Sequence, residues 1–304
     1  MNSLRSKTYA QRGFGLARRS AVSLLVVVLV SGVALASLGT TSYASSKASL
    51  KSLVPASIRS TGKLTDMVNS PYAPMEYQKT PGGPIVGFDI DIATALAKEL
   101  GLSLVVSNTP NFSELIPAVQ TNRVDISDSS VHDTTQRESS IHFVDDFSSG
   151  IQFMGLKSKT AKLTTHADLC GDTVMVQAGT NYAAKIAEFS KSICPAGKPI
   201  ATLGAASPPD EVQQIQIGRA IAIAEGPESN GYLELTQPGK WHLIGKSWDL
   251  FKYGIMFKKN DAQLGIALRD ALTVLIQNGT YKQILTKWDL SGDGVTSATI
   301  DNGN

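Results

Sequence analysis

Cysteine is almost missing from these 304 residues: Cys170 and Cys194 are the only two. Lying that far apart, with His166 the only histidine nearby, they do not make a metal-ligand set, and neither a metal nor any other cofactor is expected. Histidine is scarce as well. His132, His142, His166 and His242 stand in no zinc or nucleophile spacing, and no Gly-x-Ser-x-Gly elbow occurs, so hydrolase chemistry lacks its parts. An excess of charge of one sign is also lacking. With a formal net charge of +2 and no basic patch interleaved with aromatics, the chain has nothing to track a phosphate backbone, which excludes nucleic acid as a partner.

What is present describes a globular body behind a leader. Hydrophobic content of 42% and charged content of 18% fit a soluble protein long enough for two lobes of ordinary size. Arg5, Lys7, Arg12, Arg18 and Arg19 precede the small and apolar run Ala21–Val30, and Ala34-Leu35-Ala36 or Ser42-Tyr43-Ala44 offers a cleavage site. The run is short for a full membrane span of about 20 residues. Residues 1–44 therefore read as a signal peptide, and the mature chain is expected in the periplasm. No cysteine lies near either cleavage site, so lipid attachment there is not expected. An exported chain with a lone cysteine pair most simply closes one disulfide, Cys170 to Cys194, stabilising the fold by about 3 kcal/mol on the chain-entropy estimate.

Residues 45–62, rich in serine, lysine and alanine, predict a flexible lead-in. Lys63–Val68 predicts a first strand, followed by a turn enforced by Pro71 and Pro74. Gly87-Phe88-Asp89-Ile90-Asp91 leads into a helix with Asp89 as its N-cap and Gly101 at its end. Leu102–Val106 predicts a strand, Phe112–Gln120 a helix capped by Ser113, and Val124–Ile126 a strand. The succession is that of an α/β fold with a largely parallel sheet, which binds ligands in the loops after its strands. A second unit of the same kind follows. It runs through strand Asp172–Gln177, the turn Ala178–Asn181 and a helix Tyr182–Lys191 whose N–H groups suit an anion. No long linker separates the units, so the chain crosses between two lobes more than once.

The stretch Asp125–Phe143 organises this reading. It is small and polar, cannot fill a core, and its hydroxyls at Ser129, Ser130, Thr134 and Thr135 are expected to converge with Arg137 on a small anion. Arginine's flat fork matches a carboxylate with two parallel N–H bonds.

Several motifs in order carry a resemblance. They are Gly87-Phe88-Asp89-Ile90-Asp91-Ile92-Ala93, Leu115-Ile116-Pro117-Ala118, Arg123-Val124-Asp125, Thr134-Thr135-Gln136-Arg137 and Phe143, followed by Gly171-Asp172-Thr173-Val174, Gly179-Thr180, Gly218-Arg219, Tyr253-Gly254-Ile255, Asn278-Gly279-Thr280-Tyr281 and Lys287-Trp288. Together they resemble the family 3 extracellular solute-binding proteins, the amino-acid receptors of ABC importers. The resemblance implies a two-lobed type II periplasmic-binding-protein fold with two interlobe crossovers, near Ser149–Leu156 and Leu250–Gly254. Lobe 1 would span 63–150 and 251–304, with lobe 2 at 151–250. It implies a monomer that closes on a small-molecule ligand, an amino acid or similar zwitterion, and delivers it to an ABC permease in the inner membrane.

The family's site residues map onto matching positions here. Arg137 would pair with the ligand's α-carboxylate, helped by Ser130 and His132 and by the turn carrying Thr180 and Asn181, with Ser129 from the same polar stretch a further candidate. Tyr72 and Phe112 would sandwich its side chain. His132 stands where a small hydroxyl residue is usual, which puts ordinary ammonium contacts in doubt. The aspartate that meets the ammonium is replaced: Glu225, Gly226 or Glu228 takes its place, with Glu225 preferred. Asn69 stands where receptors for basic amino acids carry an acid, an argument against lysine or arginine. Two alternatives remain, a cyclohexadienyl dehydratase acting on prephenate or arogenate with Glu225 as proton donor, and a ligand-sensing receptor.

Overall fold

The computed structural model describes residues 49–303, so the expected leader lies outside the described residues. The strands are β1 (Lys63–Val68), β2 (Tyr77–Gln78), β3 (Ile85–Val86), β4 (Ser103–Asn108), β5 (Ile126–Ser127), β6 (His142–Leu156), β7 (Thr173–Gln177), β8 (Ala201–Ala205), β9 (Ala222–Glu225), β10 (Trp241–Phe257) and β11 (Gly294–Ile300). Apart from the small β2–β3 ribbon they form one sheet in the order β4-β1-β5-β10-β6-β9-β7-β8, with β11 on β6.

Two halves can be read from the pairing. In the first, β1 runs parallel to β4 from Lys63↔Ser103 to Val68↔Asn108 and parallel to β5 at Asp66↔Ile126. In the second, β7 runs parallel to β8 and to β9. The long strands β6 and β10 lie antiparallel to each other and connect the halves: β10 pairs with β5 at Met256↔Ser127, while β6 pairs with β9 at Gln152↔Glu225. Their mutual register breaks between Ile244 and Trp248, between Trp248 and Phe251, and between Tyr253 and Gly254. Such irregularities bend a strand pair, and these fall where the chain passes from one half to the other.

Helix Phe88–Glu99 shows why the first half holds together. Phe88, Ile92 and Leu96 recur every fourth residue, share one face, and are wholly buried in a core that includes Leu64, Leu268 and Leu272. Leu268 and Leu272 lie on helix Ala262–Gln277, which with Thr280–Lys287 returns the chain to the first half and packs on this helix. Truncating Leu96 to alanine at such a site costs about 2–5 kcal/mol.

Three local expectations are corrected. The lead-in is not loose where it is described: 49–53 and Ala56–Thr61 are helical. Leu50, Val54 and Ile58, again four apart, are buried in the same core, which is why the segment is held. Asp89 does not cap its helix. Gly87 holds the N-cap position without a side-chain bond, and Asp89 is buried one residue inside the helix, accepting from Ser130 Oγ at 2.9 Å. Ser113 is not a cap either, because Asn111 accepts its N–H at 3.1 Å and opens a 3-10 turn, Phe112–Glu114, ahead of helix Leu115–Gln120. Glycine 101 does end its segment in the left-handed region, with φ +72°.

The disulfide is formed. Cys170 follows a 3-10 turn and Cys194 ends helix Tyr182–Ile193, with a Cα–Cα distance of 5.4 Å.

Candidate functional site

The loops after β1, β4 and β5 of the first half face those after β7 and β9 of the second across a slit. About 390 Å³ of it is not filled by atoms. The slit is therefore narrow and the halves are close together. Asn69 and Tyr72 come from the loop after β1, Phe112 from that after β4, and Ser129, Ser130, His132 and Arg137 from that after β5. Thr180 and Asn181 follow β7, and Glu225 ends β9; all ten line the slit. Ligand sites of α/β sheets lie at this end of the strands.

Arg137 is held from within its own loop. The Thr134 hydroxyl accepts its backbone N–H at 3.2 Å, starting the short helix Thr135–Glu138. Its Nη1 donates to the His132 carbonyl at 2.7 Å, and its guanidinium lies 5.9 Å from the centre of the Phe112 ring. Among the described residues one N–H group of five is thus accepted, which leaves the fork's remaining donors for a guest. Burial pushes the guanidinium's pKa down, so this cation is short of solvation and gains from an anion.

The hydroxyls around it act differently from the sequence expectation. Ser129 Oγ donates to Glu76 Oε1 at 2.7 Å while accepting the Asn69 N–H at 2.9 Å. Ser130, at φ +48°, gives its hydroxyl to Asp89. Thr134 serves as the cap, and Thr135 is absent from the cavity wall. The reason is electrostatic. Asp66, Glu76, Asp89, Asp128 and Asp146 are all buried here, and buried carboxyls take the donors at hand. Burial raises Asp66 to about 8 and Asp89 to about 6, and lifts Glu76, Asp128 and Asp146 well above the usual carboxylate range. Glu76 is raised first by its burial and then by the neighbouring Asp89, which favours the protonated form of Glu76.

On the facing wall three positions compete. Glu228 is saturated: Tyr72 Oη donates at 2.7 Å, Ser149 Oγ at 2.8 Å and Tyr253 Oη at 3.1 Å, and it does not line the slit. Gly226 supplies only backbone, as the N-cap of helix Pro227–Thr236. Glu225 is the one on the cavity wall, nearly inaccessible to solvent, with Oε1 meeting no donor. Behind it, from helix Pro208–Gln216, sits Glu211, wholly buried and, among the described residues, without a donor for either oxygen. A proton on Glu211, given to Glu225, resolves the contact. Burial raises Glu211 well above the carboxylate range and Glu225 to about 7. Above about pH 7 the pair presents one negative charge to the slit.

Contacts across the slit fix the present arrangement. Gln177 Nε2 donates to Asn69 Oδ1 at 2.7 Å, and Asn181 Nδ2 to His132 Nδ1 at 2.9 Å. The His132 ring stacks on Phe251 with centroids 3.8 Å apart. Asn69 spends its amide donor on the Thr109 carbonyl at 2.8 Å. Glu76, Gln177, Tyr182 and Tyr253 also line the slit, and sequence reasoning gave them no role. Tyr253 stood in a motif already singled out, and Gln177 ended a strand before a glycine turn. Glu76 had no local signal, since only packing against Ser129 brings it in.

Residues 64–291 match the bacterial extracellular solute-binding proteins, family 3, and the chain belongs to that family. An arginine-binding protein of Corynebacterium glutamicum is 26% identical over 83% of this chain and 82% of its own. An arginine-binding extracellular protein of Bacillus subtilis is 30% identical over 74% of this chain and 86% of its own. Among solved structures, a mutant of ArgBP from T. maritima superposes with a TM-score of 0.68 at 26% identity, covering 77% of this chain and 97% of that one. The fold is the type II periplasmic-binding fold, and the protein is an extracytoplasmic solute-binding receptor. Among the described residues no helix is long and apolar enough to cross a membrane.

Proposed function

We propose that the chain captures a basic amino acid between its two halves and hands it to an ABC permease of the inner membrane. The observation that carries this is the pairing of opposite charges across one slit: Arg137 with free guanidinium donors on one wall, Glu225 with a donor-less oxygen on the other. The first suits an α-carboxylate and the second an α-ammonium. The side chain is then left with the Asn69–Gln177 amides and Glu76, behind which Asp89 is buried, an acceptor-rich end that favours a cation. Asn69 supplies no charge, but Glu76 places an acid at the same end. The names of the relatives, arginine-binding proteins, support the same choice. Closure works because Arg137 and Glu225 are satisfied by one ligand only when the halves meet, so the ligand shifts the hinge equilibrium by its differential affinity.

A melting-temperature screen with L-arginine, L-lysine, L-glutamine and L-glutamate tests the reading. L-arginine should raise the midpoint, L-glutamine less so, and L-glutamate not at all. Arg137→Ala should abolish the rise, and an undiminished shift in that variant would sink the assignment. A second reading rests on Glu225 itself, a buried acid near pKa 7 able to give a proton. Incubation with prephenate or arogenate decides between them, since product formation would make the protein a dehydratase.

A further inference from the structure

The family match ends at 291, yet the chain continues as β11 and a terminal run to 303. β11 pairs antiparallel with the root of the crossover strand β6, at Gly294↔Phe147, Thr299↔Asp145 and Ile300↔Val144. Thr299 Oγ1 also bonds the Asp145 carboxylate and accepts from Lys252 Nζ at 3.3 Å. The chain then turns at Asp301, φ +49°. Its N–H donates to the Phe143 carbonyl at 3.2 Å, its Oδ1 accepts the Phe143 N–H at 2.9 Å, and its other carboxyl oxygen meets the His142 ring.

The last described residue, Gly303, touches both ends of the loop that carries the ligand-facing groups. Its N–H donates to Glu138 Oε1 at 3.1 Å, and Glu138 directly follows Arg137. Its Cα lies so close to Asp133, which directly follows His132, that an added Cβ would stand 2.5 Å from the Asp133 carbonyl oxygen. The opposite edge of the same loop is pinned to β10: the Asp133 N–H donates to the Lys252 carbonyl at 2.9 Å, and the Gly254 N–H to the Val131 carbonyl at 3.1 Å. The loop is therefore clamped between β10 and the terminal run.

We propose that residues 294–303 are a strap that positions the loop 130–138 for ligand, with Asp301 and Gly303 as positioning residues. The inference rests on Arg137 being a ligand-gripping group. The strap touches the residues next to His132 and Arg137 and leaves the cavity wall to them, so it acts by preorganisation, lowering what ligand must spend in ordering the loop. Asp133 adds to this. Both of its carboxyl oxygens are buried without donors among the described residues, and burial together with the neighbouring Asp145 raises its pKa to about 8, so loosening the strap would let it hydrate and ionise.

The test compares four full-chain variants and one shortened chain: Gly303→Val, Asp301→Ala, Asp301→Asn, Gly292→Ala as a control, and a chain ending at Ala298. Amide hydrogen exchange of 131–141 is read beside that of β1 and of the second half, and L-arginine affinity is read by calorimetry. Gly303→Val, Asp301→Ala and the shortened chain should exchange faster by about tenfold within 131–141 alone. Each should also bind L-arginine about tenfold more weakly, with an apo melting midpoint close to wild type. Asp301→Asn keeps an acceptor for the Phe143 N–H and should retain most of the protection. Unchanged exchange in 131–141 overturns the proposal, as does a rise spread over the whole first half with a falling midpoint, which would make the segment a general stabiliser. A wild type indifferent to L-arginine would count against the ligand reading, and the exchange pattern would still decide the strap.

Discussion

Glu225 and Glu211 share one buried contact with room for a single negative charge, and their division of labour can be tested by substitution. Glu225→Gln should weaken L-arginine binding by about a hundredfold, since hydrogen bonds to charged groups contribute about 1.5–3 kcal/mol. The apo protein should melt no lower, because the change removes a carboxyl whose burial is opposed by desolvation and by Glu228. Calorimetry beside thermal melting checks both halves of the claim, and an equal fall in both would make Glu225 structural. Arg137 stands in a motif that the sequence announces, whereas the spacing after Gly218-Arg219 left Glu225, Gly226 and Glu228 open, and of these only Glu225 lines the slit. The hydroxyls of Ser129 and Ser130 were misread for a physical reason: composition shows donors, but not the buried acids Glu76 and Asp89 that consume them. Those acids come from 53 and 41 residues away, beyond any local pattern.

At the scale of elements, the turn after β7 shows how closure is limited by backbone. Gly179 sits at φ +88°, and a Cβ there would stand 2.4 Å from Ser113 Oγ of the facing half. Gly179→Ala should therefore weaken ligand binding and leave the ligand-free molecule more open, with a larger radius in small-angle scattering than wild type. Replacing Ser113 by glycine in the same chain should restore part of the affinity; no restoration would mean that left-handed strain in the turn, rather than the clash, is responsible. The disulfide belongs to this scale too. Cys170→Ser with Cys194→Ser should cost about 3 kcal/mol in denaturant unfolding, for a separation of 24 residues, and leave L-arginine affinity within about twofold. Short apolar strands such as β1 and β7 and periodic helices such as Ala262–Gln277 are readable from the chain. The length of β6 and β10 is not, because Ser148-Ser149-Gly150 and Lys246-Ser247 interrupt the alternation where the strands cross between halves. Ser148 and Ser149 are held extended by pairing with Lys252 and Phe251, while Lys246-Ser247 falls in the register break between Ile244 and Trp248.

For the molecule as a whole, the buried acids predict opposite pH trends for folding and for binding. Asp66 and Asp133 are raised to about 8 and Asp89 to about 6, against ordinary values near 3.8, so between those limits the folded chain holds protons that the unfolded chain has lost. Stability changes with pH in proportion to protons bound unfolded minus folded, and here that difference is negative. The contribution is complete below the ordinary carboxylate range and fades as pH climbs through 6 to 8. Asp168 and Asp210, whose pKa values are lowered, are already ionised above that range and add no opposing slope there. The apo melting midpoint should accordingly fall from pH 5.5 to pH 8.5. Ligand affinity should move the other way, because an ammonium group binds the ionised form of Glu225, whose pKa is about 7. Below that value each pH unit should weaken binding by up to about tenfold, with a plateau above it. Melting curves with and without L-arginine at pH 5.5, 7.0 and 8.5 separate the two trends. A ligand-induced shift that grows with pH while the apo midpoint drops requires a proton-holding core behind a charge-presenting slit; parallel movement of both would mean that the acids of the core and the acid of the slit titrate as one group.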